Sequence, residues 1–306
     1  MRPRTSGPSR EEETWDAQLA RARHPLATRA AALFRGDAVS AGLRSPSELR
    51  RLATRIRLSA TRMVAIQGFG YLGQALSSAE IFAVLYGGAM RPGQDRFVLS
   101  PGHYVIALYA AAAEVGLIDP TKLAAYGKDG AELEAIGTER TPVVDLVCGS
   151  LGQGLSGAIG FALAARLANE DRDVFAFVSD GEMEEGQVWE AAMFAAHHRL
   201  DRLVMVIDAN NSQVDGPVTS ITTLEPLAEK WRAFGWRVAD VDGHDVEALG
   251  RALAARRDGG GPLVVIARTD IMGRVKAIPP TADGHFIKLD RALEAAVMRE
   301  LEAGLA

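Results

Sequence analysis

The sequence predicts an α/β protein built on a doubly wound, mostly parallel sheet with helices on both faces. Three observations predict it. Six short runs rich in Val, Ile, Phe and Leu recur between Phe97 and Ala267, and alanine- and leucine-rich stretches of helical length lie between most of them. The composition, 48% hydrophobic and 24% charged over 306 residues, allows a large buried core. Strands that alternate with helices form parallel sheets covered on both sides.

Taken in order, residues 1–45 read as an N-terminal extension. Met1–Ser9 has the composition of a flexible tail, and the glutamates Glu11, Glu12 and Glu13 argue against a transit peptide. A weakly amphipathic helix over Glu11–Phe34 would carry Trp15, Leu19, Leu26 and Leu33. Ser45-Pro46-Ser47-Glu48 is a helix start, with Ser45 at the N-cap, proline at the first helical position and glutamate three residues after the cap. The folded domain is therefore expected over residues 46–306. Strands are predicted at Phe97–Leu99, Val143–Val147, Val174–Val178, Leu203–Ile207, Arg237–Val241 and Leu263–Ala267. Helices are predicted at Val105–Val115, Ser156–Ala168, Val188–His198, Val246–Arg256 and Leu289–Leu301.

Charge and composition exclude several function classes. With 34 Lys+Arg against 39 Asp+Glu and a net charge of −5, the chain has no electrostatic footprint for nucleic acid. Its longest apolar run, Tyr104–Ala113, is about half of the ~20 residues that span a bilayer. A single cysteine, Cys148, excludes an intramolecular disulfide and a cysteine metal cage, and fits a reducing cytoplasm. Cys148 itself reads as a small buried filler.

In a doubly wound sheet, ligands bind beyond the carboxyl ends of the strands. Ser179-Asp180-Gly181 follows the third predicted strand and Asp208-Ala209-Asn210-Asn211 the fourth. A right-handed crossover between those strands brings both ends to one edge, so Asp180 and Asn210 come within reach of each other. One carboxylate, one amide oxygen and a backbone carbonyl make the sparse oxygen set that Mg²⁺ accepts beside phosphate oxygens and water. Upstream, Gly149-Ser150-Leu151-Gly152-Gln153-Gly154 opens a helix, where backbone N–H groups and the helix dipole favour an anion. Gly152-Gln153-Gly154-Leu155-Ser156-Gly157 has the Gly-x-Gly-x-x-Gly spacing, but it does not follow the chain's first strand as a dinucleotide fingerprint does, which discounts a nicotinamide dehydrogenase, and the loop lacks the Lys-Ser/Thr of a Walker loop.

The stretch from Ser179-Asp180-Gly181-Glu182 through Glu185-Gly186 to Asn210-Asn211 and Val214-Asp215-Gly216 resembles the thiamine-diphosphate motif. More particularly it is similar to the amino-terminal half of transketolase. Arg96–Ser100 leading to Gly102-His103, the glycine loop Gly149–Gly154, and Asp242-Gly243-His244-Asp245 agree, in order, over roughly residues 50 to 290. The resemblance implies the diphosphate domain of the thiamine-diphosphate-binding fold, with thiamine diphosphate and Mg²⁺ as cofactors. It implies Asp180, Asn210 and the Ser212 carbonyl as metal ligands, Gly181 and His103 against the diphosphate, and Gly149 and Leu151 near the cofactor rings. Glu185 would couple cofactor sites at a subunit interface, and His103, Glu185 and His285 would be the catalytic side chains. The family's pyrimidine-binding domain, which follows this one in full-length enzymes, would be a separate partner subunit in an α₂β₂ assembly, inactive without it.

The departures bear on substrate. Where transketolases carry Ser-Gly-His-Pro-Gly, this chain reads Phe69-Gly70-Tyr71-Leu72-Gly73, so Tyr71 replaces a substrate-site histidine. Thr138 replaces a second after Gly137, and His285 in Asp283-Gly284-His285 keeps a third, followed by Phe286 instead of glycine. Lost imidazoles remove groups that bind sugar hydroxyls and shuttle protons. The expected activity is transfer of a two-carbon ketol unit from a ketose or 2-oxo donor. An alternative resembles 2-oxo-acid dehydrogenases and delivers the unit to a lipoyl group or a carrier-protein thiol, and another is a cofactor-binding homologue without turnover. The remaining histidines have bland readings: His244 caps the helix near Val246, His197 and His198 end a helix, and His24 lies in the extension.

Overall fold

The computed structural model describes residues 42–305. The predicted extension helix and His24 lie outside the described residues. Helix α1 (Pro46–Gln67) begins where expected: the Ser45 hydroxyl accepts from the Glu48 N–H, and the Glu48 carboxylate accepts from the Ser45 N–H at 2.9 Å. Gly68, at φ 77, ends it in the left-handed region that favours glycine. α1 buries Leu49, Leu52, Ile56, Met63 and Val64. Helices α2 (Leu72–Ser77) and α3 (Ala79–Val84) follow and are wholly buried.

The sheet holds β2 (Arg96–Pro101), β3 (Leu146–Cys148), β4 (Val174–Ser179), β5 (Leu203–Ala209), β6 (Arg237–Asp242) and β7 (Leu263–Arg268). Its order is β3-β2-β4-β5-β7-β6, and every pair is parallel. The strand pleat sorts the core. Phe97, Leu99, Phe175, Phe177, Val204, Val206 and Val265 face a layer made by α1, α3, α4 (Val105–Glu114) and α8 (Val246–Ala254). Val98, Val174, Ala176, Val178, Met205, Ile207 and Ile266 face the other layer, made by α5 (Gly154–Leu167), α6 (Gly186–His197) and α7 (Leu227–Ala233). Burying each such Val, Leu, Ile or Phe is worth about 1.5–3 kcal/mol, so both layers are fixed by the alternation. Helix α9 (Arg291–Ala303) packs back on α1. No helix among the described residues is long and apolar enough to cross a membrane.

Two details differ from the sequence reading. The strand expected over Val143–Val147 starts only at Leu146, because Val143 takes φ 59, which extended pairing cannot accommodate. A two-stranded antiparallel ribbon, β1 (Phe69–Gly70) with β8 (Ile287–Lys288), also forms, too short to leave a periodic signal.

The sheet order sets the position of the site. From β2 the chain moves to β3 on one side and then crosses to β4 on the other, so the order reverses between β2 and β4. The crevice beyond the carboxyl ends of those strands is the topological switch point, where this architecture binds ligands.

Candidate functional site

Asp180 follows β4 and Asn210 follows β5, and the parallel register that pairs Ser179 with Asp208 sets them side by side. The Asp180 carboxylate accepts from the Gly181 N–H at 2.9 Å and the Asn211 N–H at 2.6 Å. Asn211 takes φ 57, which turns the chain back toward Asp180. The Asn210 amide is held from behind: its Nδ2 donates to Asp208 at 2.8 Å and to the Tyr104 hydroxyl at 3.0 Å, while its Oδ1 accepts from the Ser212 N–H at 2.9 Å. Asp180, Gly181, Asn210 and Ser212 are thus brought together.

Behind them lies a buried carboxylate. Asp208, wholly inaccessible, accepts from Ser77 at 2.6 Å, Tyr104 at 2.9 Å, Asn210 and Thr269. Burial raises its carboxyl, and the four donors oppose that rise. Burial, and then the negative charge of Asp208, raise Asp180 to about 7. Among the described residues neither carboxylate is in an ion pair with Lys or Arg, and no cluster of three or more His, Cys, Asp or Glu forms. The pair of buried, uncompensated carboxylates therefore suits a cation with hard oxygen ligands.

The glycine loop closes over the same edge. Glu182, fully buried, accepts from the Ser100 hydroxyl at 2.5 Å, the Gly152 N–H at 2.8 Å and the Ser179 N–H at 3.1 Å, so one carboxylate joins β2, the glycine loop and β4. Burial raises its carboxyl, and those three donors work against it. Gly154 also donates to Ser100 at 3.1 Å, and a side chain there would overlap Ser100. Gly149 differs: a Cβ there would meet nothing within 4 Å, and the neighbouring Leu151 is 37% exposed. That open rim leaves room for a ligand. Glu185 is exposed at the start of α6, against Gly152, where a Cβ would come 2.7 Å from its own.

His103, in a short turn after β2, lies 5.2 Å from His285, ring centroid to centroid. Tyr71 packs on both, at 5.2 Å from His103 and 5.7 Å from His285. Burial, and then the neighbouring His285, push His103 down to about 3, and burial lowers His285. Both imidazoles are neutral at pH 7. Thr138 does not join them: its hydroxyl donates to Glu134 at 2.5 Å, although Gly137 donates to the Gly102 carbonyl at 2.9 Å.

Sequence reasoning missed Asp208 as a support, Glu182 as a clamp, and Gln74, whose side-chain nitrogen lies 3.0 Å from His285 Nδ1. It also misassigned His244. Asp245 caps α8, accepting from Glu247 and Ala248, while the buried His244 bridges Glu80 and the Asp270 N–H. A cleft of ≈ 180 Å³ adjoins Asp180 and Arg268, and one of ≈ 530 Å³ between Met183, Trp189, Lys230 and Phe234 borders it through Thr223 and Leu224.

Comparison with known proteins places this geometry. Residues 49–299 match the family described as transketolase, thiamine diphosphate binding domain. Transketolase family protein y4mO of Sinorhizobium fredii is 39% identical over 264 residues, covering 83% of this chain and 95% of that protein. The 6-deoxy-6-sulfo-D-fructose transketolase subunit SqwG of Clostridium sp. is 38% identical over 266 residues, covering 83% of this chain and 96% of that subunit. Human transketolase is 32% identical over 83% of this chain, which spans only 42% of that enzyme. Transketolase of Campylobacter jejuni superimposes with a TM-score of 0.77 at 25% identity, over 85% of this chain and 43% of that one. The chain therefore belongs to the transketolase family, and its fold is that family's thiamine diphosphate binding domain.

Proposed function

We propose that this chain is the diphosphate-binding subunit of a two-component transketolase-like enzyme that transfers a two-carbon ketol unit, with residues 46–306 as its cofactor domain. The observation that carries the reading is the convergence, at the β2/β4 switch point, of the Asp180–Asn210 pair with the glycine loop. Asp180, Asn210 and the Ser212 carbonyl would hold Mg²⁺, which would neutralise both the buried carboxylates and a diphosphate. Gly181 and His103 would meet the diphosphate, and Gly149 and Leu151 the cofactor rings. When bound, thiamine diphosphate supplies a carbon nucleophile that adds to a ketone and spreads the negative charge that develops. The chain's own residues do the rest. Asn210 is aimed by Asp208 and Tyr104, the glycine loop is fixed by Glu182, and the neutral His103 and His285 can each hold or accept a proton from a substrate hydroxyl.

A separate pyrimidine-binding subunit would complete the site, with Glu185, exposed beside the glycine loop, at the contact between subunits in an α₂β₂ assembly. One fact supports this: a relative matched over 96% of its length is named as a transketolase subunit. Calorimetry of thiamine diphosphate with and without Mg²⁺, on the chain alone and with the pyrimidine-domain protein, tests it. Metal-dependent binding that tightens with the second protein, together with ketol transfer by the mixture only, is the expected result. Binding indifferent to Mg²⁺, or full transfer by the chain alone, would overturn it.

A further inference from the structure

Five rings line one side of the site in an unbroken series. Phe69, 51% exposed, lies 5.3 Å from Phe286, which lies 5.3 Å from Tyr71. Tyr71 in turn contacts both His103 and His285. The series runs from solvent at Phe69 to His103, whose chain neighbour Tyr104 touches the Asp208–Asn210 pair.

The wall is rigidly built. The β1–β8 ribbon pairs Phe69 with Lys288 and Gly70 with Ile287, and Leu289 donates to the Gly68 carbonyl at 2.8 Å. One turn on, a Cβ at Gly73 would lie 1.9 Å from the Gly284 carbonyl oxygen, so α2 and the His285 segment meet backbone to backbone. Gln74, buried in α2, reaches His285 Nδ1. Three of the five rings offer only carbon faces or edges, apart from the Tyr71 hydroxyl, and the two imidazoles are neutral.

Resting on the two-carbon-transfer reading, we propose that this wall selects an acceptor whose carbon chain next to the reacting carbonyl carries no hydroxyl groups. A polyhydroxylated aldehyde laid along Phe69, Tyr71 and Phe286 would lose water from more hydroxyls than the single Tyr71 hydroxyl can bond, while an alkyl or aromatic aldehyde would bury apolar surface against the wall. Discrimination of this kind is strong when buried polar groups go unpaired and weak for a methylene alone.

The step balances with 3-hydroxypyruvate as donor. Its C1–C2 bond breaks and releases CO₂, the electron pair left on C2 forms the bond to the acceptor's aldehyde carbon, and the aldehyde oxygen takes up one proton from the medium, so that the hydroxypyruvate anion, the aldehyde and one proton give the ketol product and CO₂. No oxidant or reductant is needed.

The test uses the complex with the pyrimidine-domain subunit, thiamine diphosphate and Mg²⁺, with 3-hydroxypyruvate and either propanal or glyceraldehyde, which differ only in two hydroxyls. The wild-type complex should favour propanal in kcat/KM by roughly 10-fold or more. Tyr71→Phe should keep that preference, and Tyr71→Asn should cut it several-fold. Phe69→Ser, at the exposed rim, repeats the test without touching the inner packing. A wild-type preference for glyceraldehyde, or a ratio unmoved in both Tyr71→Asn and Phe69→Ser, overturns the inference while leaving ketol transfer in place. Failure to consume donor with any acceptor overturns the underlying reading, and the inference with it.

Discussion

The carboxylate of Asp208 holds the side-chain nitrogen of Asn210 at 2.8 Å, at the centre of a buried knot that also ties down Ser77, Tyr104 and Thr269. Four segments meet there: α2, the turn after β2, β5, and the loop after β7. The amide orientation of Asn210 follows, since its nitrogen faces Asp208 and its oxygen faces the Ser212 end of the site. Asp208→Asn would set an NH₂ against groups that already donate. Losing support behind a metal ligand typically costs 10–100-fold in metal affinity, so Mg²⁺-dependent binding of thiamine diphosphate, read by calorimetry, should weaken by about that factor. Tyr104→Phe removes one donor of four and should weaken it less. Equal binding by wild type and Asp208→Asn would show that Asn210 needs no support.

Glu182 makes a second, separable prediction. Its carboxylate satisfies the Gly152 and Ser179 N–H groups and the Ser100 hydroxyl in a site without solvent. Glu182→Ala would strand those donors, each at about 1–3 kcal/mol if left unpaired, partly relieved where the loop opens to water. A fall in Tm of several degrees is expected, with hydrogen exchange speeding up most at Gly152. Exchange that rises evenly over the whole domain would instead mark a general loss of packing.

Much of this was legible in the sequence because strongly apolar runs at strand spacing have few other readings. Five of the six strands, Phe97–Leu99, Val174–Val178, Leu203–Ile207, Arg237–Val241 and Leu263–Ala267, lie inside observed strands, and the Ser45 cap forms as its residue types dictate. What stayed hidden depends on contacts across long sequence distances. Asp208 reads as an ordinary strand-end aspartate until Ser77, 131 residues away, is seen to donate to it. Glu182 passes for part of an acidic turn until Ser100 and Gly152 close on it. The ribbon of Phe69–Gly70 with Ile287–Lys288 is two residues per strand, beneath any periodicity, and His244 looks like a cap because its partner Glu80 is 164 residues away.

His103 gives a pH prediction whose sign is fixed by burial. Its folded-state value, lowered from 6.5 to about 3, means the unfolded chain binds the proton more readily between those limits. Stability contributed at this position is therefore intact above about pH 6.5 and is lost as pH falls below it. At pH 5 the loss approaches about 2 kcal/mol, at 1.36 kcal/mol per unit. His103→Gln removes that term, so its stability relative to wild type should improve by up to that amount between pH 7.5 and pH 5. Urea midpoints of both proteins at the two values measure it. A difference that stays constant with pH would show that His103 is hydrated and titrates normally.

The Arg57–Glu80 pair anchors the loop that delivers His285. Arg57, 7% exposed, donates both terminal nitrogens to Glu80 at 2.7 and 2.6 Å and its Nε to the Leu76 carbonyl at 3.1 Å. Burial pushes the Glu80 carboxyl up, but Arg57 and His244 outweigh it, so it titrates below its ordinary value. His244 passes the constraint on: Nδ1 meets Glu80 at 3.0 Å and Nε2 accepts from the Asp270 N–H at 2.9 Å, at the start of the segment leading to His285. Arg57→Met leaves a buried carboxylate without its main counter-charge and should cost about 3–5 kcal/mol. The double variant Arg57→Met, Glu80→Gln keeps a hydrogen-bond partner for His244 and should recover most of that loss, because a buried pair replaced as a pair is often close to neutral. His244→Leu should cost less in urea stability but speed hydrogen exchange across 270–286, since only that segment loses its tether. If the double variant is no more stable than Arg57→Met, the cost lies in lost packing and the Leu76 contact, and the charge on Glu80 contributes nothing to it.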